Sequence, residues 1–133
     1  MSERPEAFSA QSNLPKDSEV IMLLDQDGVL ELTLEDVTLR KRSFSMRFED
    51  YLTYRKGDES DFLRTFAQIS EHNIINHLLY EVFESEFIKW FIAETLGVRA
   101  NDKLRHFIVS TRYETVDVIC FSPPKFVLRF DDV

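Results

Sequence analysis

Residues 20–34 read VIMLLDQDGVLELTL and carry the strongest fold signal in the chain. An apolar run ends at Leu24, the polar segment DQDG follows, and Leu30, Leu32 and Leu34 then alternate with polar residues. Alternation with a period of two is typical of a strand with one buried face. Asp-Gly is a frequent turn dipeptide in hairpins because glycine adopts a positive φ at little cost. The stretch therefore predicts two antiparallel strands joined by a tight turn, with Gly28 at positive φ.

Further strands are predicted on either side of the middle of the chain. Residues 43–49 place Phe44, Met46 and Phe48 on one face of a strand. Residues 104–112 and 116–121 flank a turn at 113–115, which favours a second hairpin. Residues 125–130 alternate again after two prolines and predict a last strand.

The middle of the chain has the spacing of helices. Residues 58–61 supply a capping residue and first-turn acids, and Phe62, Phe66 and Ile69 follow at helical intervals. Residues 71–97 then give a very wide apolar face, which Gly97 would end. Whether Ser85 starts a new helix or lies inside a long one stays open. We expect Trp90 to pack in the core.

The order of strands, helices and strands predicts an α+β fold. We expect an antiparallel sheet of about five to six strands, with a central block of two to three helices packed on one face. Residues 1–16 lack periodicity and predict a flexible N-terminal arm, whereas residues 17–133 suit a single domain.

Composition limits the cellular compartment and the classes of partner that we expect. The 24 acidic and 16 basic residues leave a net charge of −8, which disfavours nucleic-acid binding despite the basic segment at 40–47. No segment has the length of a membrane span or the pattern of a signal peptide. The lone cysteine, Cys120, lies in an apolar run and predicts a buried, inert thiol. These features predict a cytoplasmic protein that does not bind membranes.

The segment Asp25-Gln26-Asp27-Gly28 resembles the nucleophile motif of the haloacid-dehalogenase superfamily of phosphatases. The resemblance implies a nucleophilic Asp25, an acid/base Asp27 and a bridging Mg²⁺. It also implies a parallel sheet, which needs crossover connections of a dozen or more residues between neighbouring strands. Only 19 residues separate Thr111 from Asp131, where the family has such a connection, and two short strands already occupy them. The hairpin interpretation is therefore preferred.

Other catalytic or metal-binding patterns are weak. His72 and His77 are five residues apart, whereas a zinc pair on a helix needs a spacing of four. His106 begins a predicted strand without a partner that the sequence specifies. With three glycines in all, the chain has neither a phosphate-binding loop nor a nucleophile elbow. We therefore predict no catalytic residues, no metal and no cofactor.

The function predicted from these observations is that of a small acidic, non-catalytic protein-binding module. It would dock on a basic protein partner, as inhibitors, immunity proteins and antitoxins do. The predicted contact residues are Asp25, Asp27, Glu31 and Glu35 on the hairpin, with Glu81, Glu84 and Glu86 as a second set. Two alternatives stay open, namely a structural subunit that forms a homo-oligomer through the apolar helix face and the phosphatase-like hydrolase that would use Asp25 and Asp27.

Overall fold

The computed structural model describes residues 3–8, 17–38, 42–58, 62–71 and 78–130. Strands make up 55% of these residues and helices 16%. The strands are β1 (Arg4–Ala7), β2 (Ser18–Gln26), β3 (Val29–Asp36), β4 (Arg42–Phe48), β5 (Tyr51–Asp58), β6 (Leu79–Phe83), β7 (Arg105–Ser110), β8 (Glu114–Cys120) and β9 (Lys125–Phe130). The helices are α1 (Leu63–Glu71), between β5 and β6, and α2 (Glu86–Glu94), between β6 and β7.

The strands form two antiparallel sheets. One sheet has five strands in the order β1-β6-β7-β8-β5, and the other has four in the order β2-β3-β4-β9. Hairpin connections account for β2–β3, β3–β4 and β7–β8, whereas β5 pairs with β8 and β4 pairs with β9 across long stretches of sequence.

The main hydrophobic core lies between the two sheets. The four-stranded sheet contributes Leu30, Leu32 and Leu34 of β3, each 0% exposed, as the period-two pattern predicts. Phe107 and Val109 of β7 belong to the same cluster. The remaining buried members are Phe44, Met46, Phe48, Leu78, Leu79, Val116, Val118 and Cys120. The two sheets are therefore the two halves of a β-sandwich.

A third layer covers the other face of the five-stranded sheet. Ile69 of α1 packs in a smaller cluster with Tyr80, Val82 and Ile108. On the same face, the ring of Phe87 in α2 contacts a β7 side chain. Strand β8 is thus covered on both faces, and all residues from 115 to 120 are buried. This double coverage explains why the sequence of β8 is apolar without strict alternation.

The predicted α+β class, with its central helical block, is wrong. The protein is mainly antiparallel β, and the described residues contain two short helices. Leu79–Phe83, which the spacing placed on a helix, forms β6. Leu79 faces the sandwich core while Tyr80 and Val82 face the helical layer. A strand buried on both faces presents closely spaced apolar residues, and that pattern imitates a wide helix face.

The structure shows where α2 begins and where it ends. Ser85 is the N-cap of α2, so a new helix does begin there. Gly97 has φ +80°, and its amide donates to the carbonyl of Ile92, which ends the helix as predicted. Strand β1, formed by residues 4–7 of the predicted arm, pairs with β6. Residues 9–16 and 72–77, including His72 and His77, lie outside the described residues.

Candidate functional site

The DQDG segment forms the predicted hairpin turn. Gln26 pairs with Val29, and the two intervening residues have φ +55° (Asp27) and +79° (Gly28). Two successive positive φ angles are the signature of the tight turn that matches the twist of a hairpin. The two strands are antiparallel. The phosphatase resemblance implied a parallel sheet and a helix after the loop, so it does not describe this segment.

The structure separates the four predicted contact residues. Leu24 pairs with Glu31 on the outer face of the sheet, where both line a groove of about 330 Å³ with Asp27. Asp25 pairs with the inward-facing Leu30 instead. Glu35 lies four residues beyond Glu31, or about 13 Å along an extended strand. Asp27 and Glu31 therefore share a site that Asp25 and Glu35 do not.

Asp25 has a local structural partner. Its Oδ1 accepts a hydrogen bond from the hydroxyl of Tyr51 at the start of β5. This bond favours the protonated phenol and, with partial burial, raises the pKa of Tyr51 to about 12. Asp25 thus ties the hairpin tip to the five-stranded sheet while remaining exposed to solvent.

Three exposed apolar side chains lie on the strand that leads into the acidic hairpin turn, and the sequence did not predict their exposure. Ile21, Met22 and Leu24 on β2 are 50%, 47% and 40% exposed. Strand β2 is an edge of its sheet within the described residues, and its register shifts between Val20 and Met22. We call Ile21, Met22, Leu24, Asp27 and Glu31 the β2 edge surface. The uninterrupted run VIMLL was the available signal, but it does not reveal that β2 is an edge strand.

A buried polar network crosses the five-stranded sheet on its helical side. Ser85 Oγ lies 2.7 Å from His106 Nδ1, and His106 Nε2 lies 2.7 Å from Asp117 Oδ1. Arg55 Nε donates to Asp117 Oδ2 at 2.9 Å. Ser85, His106 and Asp117 are 5%, 2% and 0% exposed. On the opposite face of the same sheet, the ion pair of Arg105 with Glu81 is bidentate and raises the pKa of Arg105.

The imidazole of His106 joins Ser85 to Asp117 through its two ring nitrogens. Asp117 Oδ1 accepts from Nε2–H of His106, and Nδ1 shares a hydrogen bond with Ser85 Oγ. Ser85 Oγ in turn accepts from the amide of Ile88 at 3.1 Å. Every member of the network is satisfied, so it fastens α2 to the sheet. Its residue types also match a Ser-His-Asp hydrolase, although Ser85 is almost fully buried.

A groove of about 530 Å³ lies beside this network, between α1 and α2. We call it the α1–α2 groove. Its aromatic lining is Phe62, Phe87 and Trp90, and its cationic lining is Arg55 and Arg64. Trp90 is 53% exposed, so its predicted core position is wrong. The remaining lining residues are Glu3, Thr65, Gln68 and Glu86.

Comparison with known proteins gives no match: the chain fits no protein-family model, and neither a curated protein nor a solved structure matches it. In the part of the chain that the structure describes, neither helix is long and apolar enough to cross a membrane. Those same residues contain no group of three or more His, Cys, Asp or Glu side chains placed to hold a metal ion.

Proposed function

We propose that the protein is a non-catalytic binding module whose β2 edge surface docks an extended, basic segment of a protein partner. The observation that carries the proposal is the exposure of Ile21, Met22 and Leu24 on one edge strand. Scattered apolar residues on a surface are ordinary, but three within four positions of an edge strand form a contiguous patch.

Backbone geometry supports an extended partner. From Val20 to Gln26, one side of β2 pairs with β3, and no strand of the described residues pairs with its other side. Such an edge is the template for β-strand addition, in which main-chain hydrogen bonds give affinity and alternate side chains give specificity.

Charge supports a basic partner over a second copy of the chain. Asp27 and Glu31 flank the apolar patch, and the whole chain carries a net charge of −8. Two copies would bring like charges together at the same edge, whereas lysines or arginines of another protein would be attracted. This is the chemistry of inhibitors, immunity proteins and antitoxins that cover a basic site, and we propose the same kind of role for this protein. The lone buried Cys120 is in keeping with a reducing cytoplasm.

The test compares two edges of the same sheet. Leu24→Lys places a charge in the β2 patch, and Val127→Lys makes the same kind of change on β9, where Val127 is 44% exposed. In affinity capture from the native host, we expect the unmodified protein and Val127→Lys to retain one partner and Leu24→Lys to lose it. The captured complex should weaken as salt rises, since Asp27 and Glu31 act at an exposed rim. Equal retention by both variants, or salt-insensitive binding, would overturn the proposal.

Two further measurements separate the alternatives. The mass in solution should be that of a monomer; a dimer that Leu24→Lys dissociates would favour the homo-oligomer. A fluorophosphonate probe, which labels activated serines, should leave the protein unlabelled because Ser85 is buried and bonded on both sides. Labelling that Ser85→Ala abolishes would favour a hydrolase.

A further inference from the structure

The α1–α2 groove lies on the helical layer, on the opposite side of the molecule from the outer face of the four-stranded sheet. We propose that it binds a small planar aromatic anion, meaning a ring that carries one phosphate or carboxylate group. This site is independent of the β2 edge surface, because the two share no residue.

The aromatic side chains provide a stacking surface. The rings of Phe87 and Trp90 are stacked, with centroids 5.8 Å apart and planes 18° from parallel. Phe87 is buried, whereas Trp90 is 53% exposed. An exposed indole beside a concave surface presents a flat, polarisable face to solvent, and a second ring gains both burial and offset stacking there. The groove therefore favours a planar ligand over an aliphatic one.

The arginines provide the complement to an anion. Arg55 is held on both sides, since its Nε donates to Asp117 and its guanidinium lies 4.1 Å from the centroid of the Phe87 ring. Asp117 is itself fixed by His106, so the buried network positions a half-exposed cation at the groove. A cation that is already positioned loses little conformational freedom when a ligand binds. Arg64 on α1 adds a second positive charge to the lining.

Size and local charge restrict the ligand further. A volume of about 530 Å³ is within the range of pockets that hold small organic molecules. Glu3 and Glu86 also line the groove, and Glu3 Oε2 accepts a hydrogen bond from the backbone amide of Glu86 at 2.6 Å. The groove thus already accommodates one carboxylate of the chain itself. A ligand with a single anionic group fits this balance better than a polyanion, which the two glutamates would repel.

Trp90 is the one tryptophan of the chain and reports directly on the groove. Its fluorescence should change saturably on titration with adenosine monophosphate or with benzoate, at concentrations up to about 1 mM. Adenosine alone and inorganic phosphate alone should bind at least about tenfold more weakly, because each lacks one half of the recognition. A response to the phosphate ester or to the carboxylate identifies which anionic group the groove prefers, and either response supports the site.

Charge variants localise the binding. Arg64→Gln should weaken binding of whichever probe responds by about tenfold or more, while Glu3→Gln should strengthen it by removing a negative charge from the lining. Lys103→Gln removes the same unit charge from an exposed loop outside the groove and should leave the affinity unchanged. Three results would overturn the proposal. They are no change of Trp90 fluorescence with either aromatic anion, equal affinities for adenosine monophosphate, adenosine and inorganic phosphate, and equal effects of Arg64→Gln and Lys103→Gln on the affinity.

Discussion

Replacing Asp117 by Asn tests whether the buried network stabilises the fold. Asp117 is 0% exposed and accepts hydrogen bonds from His106 Nε2 and Arg55 Nε through its two oxygens. Asparagine has nearly the same shape but offers one oxygen and one NH₂ group. If the side-chain oxygen of the asparagine keeps the hydrogen bond with His106, its NH₂ group must face the Nε–H donor of Arg55. One charge-assisted hydrogen bond is then lost.

The magnitude follows from the partners. A hydrogen bond to a charged group contributes roughly 1.5–3 kcal/mol. Arg55 is 48% exposed and regains part of this by turning to water, whereas His106, at 2%, cannot. We therefore expect Asp117→Asn to lower the free energy of unfolding by about 2 kcal/mol. For a chain of this length, that corresponds to a fall of roughly 6–10 °C in the melting temperature.

Urea unfolding followed by far-ultraviolet circular dichroism measures this change, and Asp102→Asn is its matched control. Asp102 is also paired with an arginine, Arg99, but both side chains are more than a third exposed. The control should cost less than about 1 kcal/mol. Equal losses in the two variants would refute the reasoning, since burial would then make no difference.

A double-mutant cycle extends the test through His106. Ser85→Ala removes the N-cap of α2 and the second hydrogen bond of the imidazole, at an expected cost of about 1 kcal/mol. If the network acts as one unit, the free energy of unfolding lost by the double variant should be smaller than the sum of the two single losses. We expect the difference to exceed about 0.5 kcal/mol. Strict additivity would mean that Ser85 and Asp117 act separately.

Three other predictions concern single groups. Burial raises the pKa of Cys120 to about 12, so its thiol should react with Ellman's reagent only after unfolding in guanidinium; prompt reaction of the native protein would contradict this. The bond to Asp25 raises the pKa of Tyr51 from 10.0 to about 12, so the stabilisation is fully present below pH 10.0 and is lost as the pH rises towards 12. Ultraviolet titration of Tyr51→Phe should therefore lack one tyrosine that ionises near pH 12, and an unaltered curve would argue against the bond. Gly57→Ala places a Cβ 2.5 Å from Cε2 of Phe62 and should cost roughly 1–3 kcal/mol in urea unfolding. Adding Phe62→Leu should recover part of that loss if the clash is its cause.

The first hairpin was predictable because its determinants are local. The turn residues Asp27 and Gly28 and the alternating leucines of β3 lie within a few positions of one another. The middle of the chain was not predictable in this way. β6 is covered by the sandwich core on one side and by the helical layer on the other, so its apolar residues lost the period of two that identifies a strand.

The candidate sites depended on long-range pairing. Ser85, His106 and Asp117 come together because β6, β7 and β8 are neighbours, which no short motif encodes. One signal was present: a charged residue in the centre of the apolar run TVDVIC needs a buried partner, so Asp117 could have been singled out. The exposure of Ile21, Met22 and Leu24 follows from the edge position of β2, which depends on the order of strands in the sheet.

The order of the strands also has a consequence for synthesis on the ribosome. The apolar face of β3 is complete once Leu34 has emerged, but Val116 and Val118, which belong to the same core cluster, are made about 80 residues later. At bacterial to eukaryotic elongation rates this interval is roughly 4–16 s. During that time the apolar face of the nascent sheet is uncovered, and β5 cannot pair because β8, its partner, has not been synthesised. The first third of the chain is therefore exposed to aggregation until the last third has been synthesised. Nascent chains halted before β8 should be substrates for chaperones.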